Sequence, residues 1–130
     1  MSHATPGSGR GKRLVIVESP FAGDVKQNLR YLRAALRDCL LRGEAPFASH
    51  AMYTQPGVLD DDNADDRKLG MEAGFAYRDA VDVSVVYTDL GITPGMSAGI
   101  EDSKVKGRTT EYRMLGPDWD SQPIYKTRWE

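Results

Sequence analysis

The 130-residue chain has a single cysteine, Cys39, so no disulfide can close within it. With only two histidines beside that cysteine, a Cys/His metal site is not expected. No apolar run approaches the roughly 20 residues needed to span a bilayer, and no signal peptide is visible. These absences point to a cytoplasmic protein without a membrane partner. Neither sign of charge dominates: 17 Lys and Arg against 19 Asp and Glu give a formal net charge of −2. So small a charge makes no strong field for a nucleic acid polymer or an anionic membrane. A Gly-rich dinucleotide fingerprint, a P-loop and a nucleophile elbow are also missing. No cofactor is expected.

What is present begins with Leu14-Val15-Ile16-Val17, an apolar run rich in β-branched residues that reads as a strand buried on both faces. This first strand covers about Arg13 to Glu18, after a small, polar, Gly-rich tail over residues 1–12 that is expected to be disordered. Asp24 then caps a helix on which Val25, Leu29, Leu32, Leu36, Cys39 and Leu40 recur at spacings of three and four, and Gly43 ends it. Cys39 reads as a small buried hydrophobe on that face. Arg30, Arg33, Arg37 and Arg42 read as its solvated side.

A second strand is expected over Ala45 to Ser49, followed by a long Pro-, Gly- and Asp-rich loop from His50 to Asn63. Asn63 caps a second helix running to about Asp79, with Leu69, Ala73, Ala76 and Tyr77 on one side. On it Gly70 and Gly74 permit close packing against the sheet. The third strand is Val81 to Thr88, the loop Asp89–Ser97 opens into a third helix closed by Gly107, and a fourth strand covers Thr109 to Met114. Such alternation predicts an α/β fold of three layers: an open parallel sheet, flavodoxin- or Rossmann-like, in strand order 2-1-3-4, with room for an extra edge strand. Residues 13–115 form the domain. Residues 116–130 form an aromatic tail, with Trp119, Ile124, Tyr125 and Trp129 expected to pack on the domain or on a neighbouring subunit of a homo-oligomer.

In that order the loops Ser19–Asp24 and Asp89–Ser97 flank the switch-point crevice, where open α/β sheets bind ligands. Ser19, Pro20, Phe21, Asp24, Asp89, Gly95, Met96 and Ser97 are therefore candidate ligand contacts. Gly95-Met96-Ser97 offers helix N-terminal amides and a hydroxyl to a phosphate or carboxylate. His50 and Tyr53 leave the second strand on the same edge, His50 as a hydrogen-bond donor or proton carrier. Among Asp60, Asp61, Asp62, Asp65 and Asp66 a carboxylate, Asp62 in particular, can accept from sugar hydroxyls. Arg67 sits in a helix first turn, where a cation opposes the dipole, so a salt bridge or a ligand contact is expected of it. Glu18 ends a buried strand at the crevice, where burial raises a carboxyl pKa and suits it to acid/base work.

Over about residues 13 to 115 the chain resembles the nucleoside 2-deoxyribosyltransferase-like family, including its small phage and bacterial members. The resemblance is carried by Ser19-Pro20-Phe21 with Asn28, Gly43-Glu44-Ala45-Pro46 before Ser49-His50, and Asp66-Arg67 before Gly70-Met71. Thr93-Pro94-Gly95-Met96, and Gly107 before Glu111-Tyr112-Arg113, continue it. It implies cleavage or exchange at N-glycosidic bonds and adds Asn28 to the candidate site. The family's attacking glutamate stands three residues after the Gly-Met pair; here that position is Gly99, before Ile100, and a family tyrosine of the first strand is replaced by Ile16. Glu101 lies about 200° around the helix from Gly99 and does not substitute. The expected function is therefore binding of a nucleoside, nucleotide or ADP-ribose-like ligand without efficient turnover. A carrier, a sensor or a sequestering protein would act so, for example a phage anti-defence protein that soaks up a nucleotide immune signal. The alternative is an active N-glycosidase or ribosyltransferase using Glu18.

Overall fold

A computed structural model of the chain describes residues 11–121. The expectations for the first ten residues and for Ile124, Tyr125 and Trp129 lie outside them. Four strands, β1 (Arg13–Glu18), β2 (Glu44–Phe47), β3 (Val83–Tyr87) and β4 (Thr109–Arg113), form one parallel sheet in the order β2-β1-β3-β4. The helices are α1 (Val25–Leu41), the short α2 (Ser49–Met52), α3 (Ala64–Arg78) and α4 (Pro94–Val105), with a 3-10 turn at Trp119–Ser121. The α/β class and the 2-1-3-4 order match the reading from sequence.

The alternation of β1 and β3 sets the layers. Val15, Val17, Val83, Val85 and Tyr87 point to one face and pack with Tyr31, Leu32, Ala35 and Cys39 of α1. Val86 points to the other and meets Met96 and Ile100 of α4. Burying each such aliphatic side chain contributes about 1.5–3 kcal/mol, and a one-residue slip would turn all of them outward together. That locks the register Val15↔Val83 through Glu18↔Val86, and with it the height at which Glu18 leaves the sheet.

Several boundaries and faces differ from expectation. β2 stops at Phe47 because Ser49 to Met52 turn helical, so His50 lies inside α2 rather than at the head of a loop. On α1 the buried residues are Asn28, Tyr31, Leu32, Ala34, Ala35 and Cys39, while Val25 and Leu40 face solvent. On α3 Leu69, Ala76 and Tyr77 are exposed, and the buried row is Gly74 and Arg78. The glycines do not meet the sheet. A Cβ on Gly74 would stand 2.7 Å from Ser49 Oγ and one on Gly70 3.3 Å from the Leu59 side chain, so α3 closes instead onto α2 and the loop after it. α4 starts at Pro94 under a Thr93 cap, which puts Gly95, Met96 and Ser97 inside its first turn. The described part of the C-terminal segment folds onto its own domain: Trp119 meets Tyr31 edge-on at 5.1 Å and Asp120 pairs with Arg30.

Candidate functional site

The carboxyl ends of β1 and β3, the short α2 and the starts of α3 and α4 enclose a cavity of about 300 Å³. That is the lower end of the range of small-molecule sites, and it lies at the point where the strand order reverses. Of the residues singled out from sequence, Glu18, Ser19, Phe21, His50, Tyr53, Arg67, Gly95 and Met96 line it.

The others have different work. Asp24 caps α1 by accepting the Gln27 N–H at 3.1 Å. Asn28 donates to the carbonyls of Phe21 and Ala22 and so shapes the loop behind the cavity. Pro20 is buried behind the lining, and Asp62 and Ser97 face solvent outside it. Asp89 is an anchor: it accepts from the Tyr31 hydroxyl at 2.5 Å and from the backbone N–H groups of Leu115 and Gly116. Burial works against its charge, yet these donors hold its carboxyl below the usual aspartate range. At the start of α4 the Met96 N–H is taken by Thr93 Oγ1 and the Ser97 N–H by the Thr93 carbonyl. In this first turn the Gly95 N–H has no hydrogen-bond partner among the described residues.

Two polar pairs, one buried and one partly buried, line the cavity. In the first, Arg78 donates to Glu18 Oε2 through Nε at 3.0 Å and through a terminal nitrogen at 2.6 Å. Both side chains are nearly sealed, and the guanidinium lies 4.7 Å from the centre of the Phe75 ring. Arg108 supports the arrangement by donating to the Arg78 carbonyl, Ser84 Oγ and Asp102. Burial pushes the Glu18 carboxyl up, while the charge and hydrogen bonds of Arg78 pull it back. Oε1 receives neither Arg78 contact. Glu18 itself lines the cavity.

In the second pair, Ser19 Oγ and His50 Nε2 are 2.9 Å apart. Burial, assisted by the charge of Arg78, pushes the His50 pKa down to about 4, so the ring is neutral at physiological pH. Unfolded, a histidine takes up its proton near pH 6.5, so the unfolded chain binds more protons than the folded one between these values. Stability is therefore expected to fall as pH drops from about 7 towards 4, by roughly 2–3 kcal/mol from this group. Urea denaturation of the natural chain and of His50→Gln across that range checks it; equal slopes would remove His50 as the cause.

At the rim stand Asp61, Asp66 and Arg67. Asp66 is engaged with the Asp60 N–H. Arg67 is exposed and has no ion-pair partner among the described residues, so of the two expectations the salt bridge is not met. Sequence reasoning missed Arg78, the residue that sets the state of Glu18. A signal for it existed: Gly70, Gly74 and Arg78 stand four apart on one helical face, two residues without side chains leading to one long cation. Among the described residues no cluster of three His, Cys, Asp or Glu side chains could hold a metal ion, and no helix is long and apolar enough to cross a membrane.

A family model described as a domain of unknown function, DUF7768, matches residues 13–113. The chain belongs to that family. No curated protein matches the sequence. The matched span begins at the first residue of β1 and ends at the last of β4, so the family unit is the complete sheet together with every wall of the cavity.

Proposed function

We propose that the chain binds a nucleoside, nucleotide or ADP-ribose-like ligand in the cavity at the ends of β1 and β3, without efficient turnover. The observation that carries this reading is the polarity of one cavity. Its lining offers the Glu18 carboxylate with Ser19 and His50, together with Arg67, which has no ion-pair partner among the described residues, and the start of α4. Acceptors of that kind suit sugar hydroxyls, and a guanidinium without an ion-pair partner among the described residues, lining the same cavity as the first turn of α4, suits a phosphate. Phe21, Tyr53 and Phe75 supply flat apolar walls for a base.

Weak turnover is inferred from Gly99 and Glu18 together. A Cβ on Gly99 would fall 2.2 Å from Glu18 Oε2, so the position at which the resemblance places an attacking glutamate has no space for any side chain. The carboxylate that fills this space is tied to Arg78, which lowers its strength as a nucleophile. A carrier, sensor or sequestering role follows, and capture of a nucleotide signal is one form of it. The alternative, N-glycosidase activity with Glu18 as the acid, requires Arg78 to release its hold.

Calorimetric titration with nucleoside monophosphates and ADP-ribose tests the binding reading. Arg67→Glu should weaken phosphorylated ligands by about tenfold or more, roughly 1.4 kcal/mol, and nucleosides much less. Equal affinity for every ligand in both proteins would move the site elsewhere. Chromatography of the same mixtures tests turnover: release of free base at several turnovers per second, abolished by Glu18→Gln, would replace the binding reading with the hydrolytic one.

A further inference from the structure

The charges that line the cavity do not cancel. Three carboxylates, Glu18, Asp61 and Asp66, stand against two guanidiniums, Arg67 and Arg78, and His50 is neutral at physiological pH. Glu18 and Arg78 answer each other in their sealed pair. Two half-buried aspartates and one exposed arginine are left. Asp66 accepts the Asp60 N–H, whereas the Asp61 side chain has neither a hydrogen bond nor an ion pair among the described residues. The less exposed of the unanswered charges is therefore negative. Its neighbours in the chain add to it: Asp60, Asp62 and Asp65 are exposed beside it, against Lys68. The positive end of the α4 dipole counts for about half a charge, and the Thr93 cap already draws on it.

The walls have a matching property. Phe21 meets His50 edge-on at 6.5 Å and Tyr53 meets Phe47 edge-on at 6.3 Å, so neither lining ring is stacked in these contacts. The third, Phe75, already holds a cation, the Arg78 guanidinium, 4.7 Å from its centre. Aromatic faces attract positive charge through the ring quadrupole, and they stack on a flat base. Among the described residues no three His, Cys, Asp or Glu side chains cluster to hold a metal ion, so these features suit an organic cation.

We propose that the ligand of this cavity carries a positive charge on its base: a nucleoside or nucleotide of a cationic heteroaromatic ring, of the pyridinium class. The inference rests on the reading of the cavity as a nucleoside or nucleotide site and adds the sign of the base. The ring's charge answers Asp61, and its flat face suits Phe21 or Tyr53. A phosphate, where the ligand has one, falls to the exposed Arg67. A neutral base would cover Asp61 without replacing the water it loses, and an anionic one would be repelled. A one-ring base on a ribose also suits a cavity of about 300 Å³, the small end of ligand sites.

Calorimetric titration with three ribosides of nearly one size tests the sign. Nicotinamide riboside is a cation. Nicotinic acid riboside keeps the aromatic ring but cancels its charge with a carboxylate, and dihydronicotinamide riboside is neutral. The cation should bind about tenfold or more tightly than either of the others. Asp61→Asn, with circular dichroism and thermal unfolding unchanged, should bring the three to within about twofold. Equal affinities in the natural chain, a preference for a neutral member, or a preference that survives Asp61→Asn would overturn the proposal. Adenosine, uridine and their monophosphates are titrated beside them. If these bind while the cation has no advantage, the sign of the base is wrong and the nucleotide reading stands. If no ligand of either set binds, both fail.

Discussion

Arg78→Met is expected to destabilise the protein by about 3–5 kcal/mol at neutral pH. The substitution leaves the Glu18 carboxylate, 4% exposed, with no guanidinium to face. The cost comes from that stranded charge more than from the lost attraction, because desolvation of both ions offsets much of what a buried pair contributes. Two further results follow. First, without Arg78 the Glu18 pKa rises further, so the folded chain holds a proton that the unfolded chain releases above its ordinary pKa. The loss should therefore be greater at pH 8 than at pH 5. Second, Glu18→Met combined with Arg78→Met should recover most of the stability, since the apolar pair strands no charge. Urea denaturation of the three variants at both pH values measures all of this. A loss below about 1 kcal/mol for Arg78→Met, the range of exposed pairs, would show that water reaches the pair and that Glu18 is not held as described.

Gly99→Ala is expected to cost about 1–3 kcal/mol, although alanine in a helix interior ordinarily gains close to 1 kcal/mol over glycine. The reversal has a definite cause: the new methyl would stand 2.2 Å from Glu18 Oε2, 2.5 Å from its carboxyl carbon and 2.7 Å from Oε1. That carboxylate cannot swing aside without leaving Arg78. Gly99→Glu should be worse still and prevent folding. In Glu18→Ala the obstruction is gone, and Gly99→Ala added to it should become neutral or stabilising. The difference between the two backgrounds, read as a double-mutant cycle from denaturation midpoints, should be at least about 1 kcal/mol. A cycle that closes to zero would show that Gly99 is small for some reason other than Glu18.

How far the site was legible depends on what each residue answers to. Glu18 and Ser19 were found because strand alternation and the end of an apolar run place them at the carboxyl edge of β1 whatever else the chain does. Phe21, His50, Tyr53, Arg67 and Gly95 follow from the same topology, one strand or one loop at a time. Asp89 was misplaced because its position after β3 is correct but its side chain turns to Tyr31 and to the amides of Leu115 and Gly116. No local pattern announces such a contact between residues 58 or 26 positions apart. Ser97 was misplaced by the start of α4: capping by Thr93 begins the helix at Pro94, and three residues of helix carry the hydroxyl away from the cavity.

What the sequence by itself determined is the α/β alternation, the parallel sheet and its 2-1-3-4 order, and the sheet edge at which the cavity lies. Those follow from hydrophobic period, cap residues and the rule that binding occurs where the strand order reverses, all local or topological causes. Only the tertiary structure decided that Glu18 is clamped by Arg78, sixty residues away, and that its carboxylate fills the space beside Gly99. It alone decided that, among the described residues, Arg67 has no ion-pair partner and no strand lies beyond β4. Each of these is a meeting of residues far apart in the chain, and such meetings depend on the final position of whole helices. A periodicity fixes which face a residue takes, but not which partner it finds there.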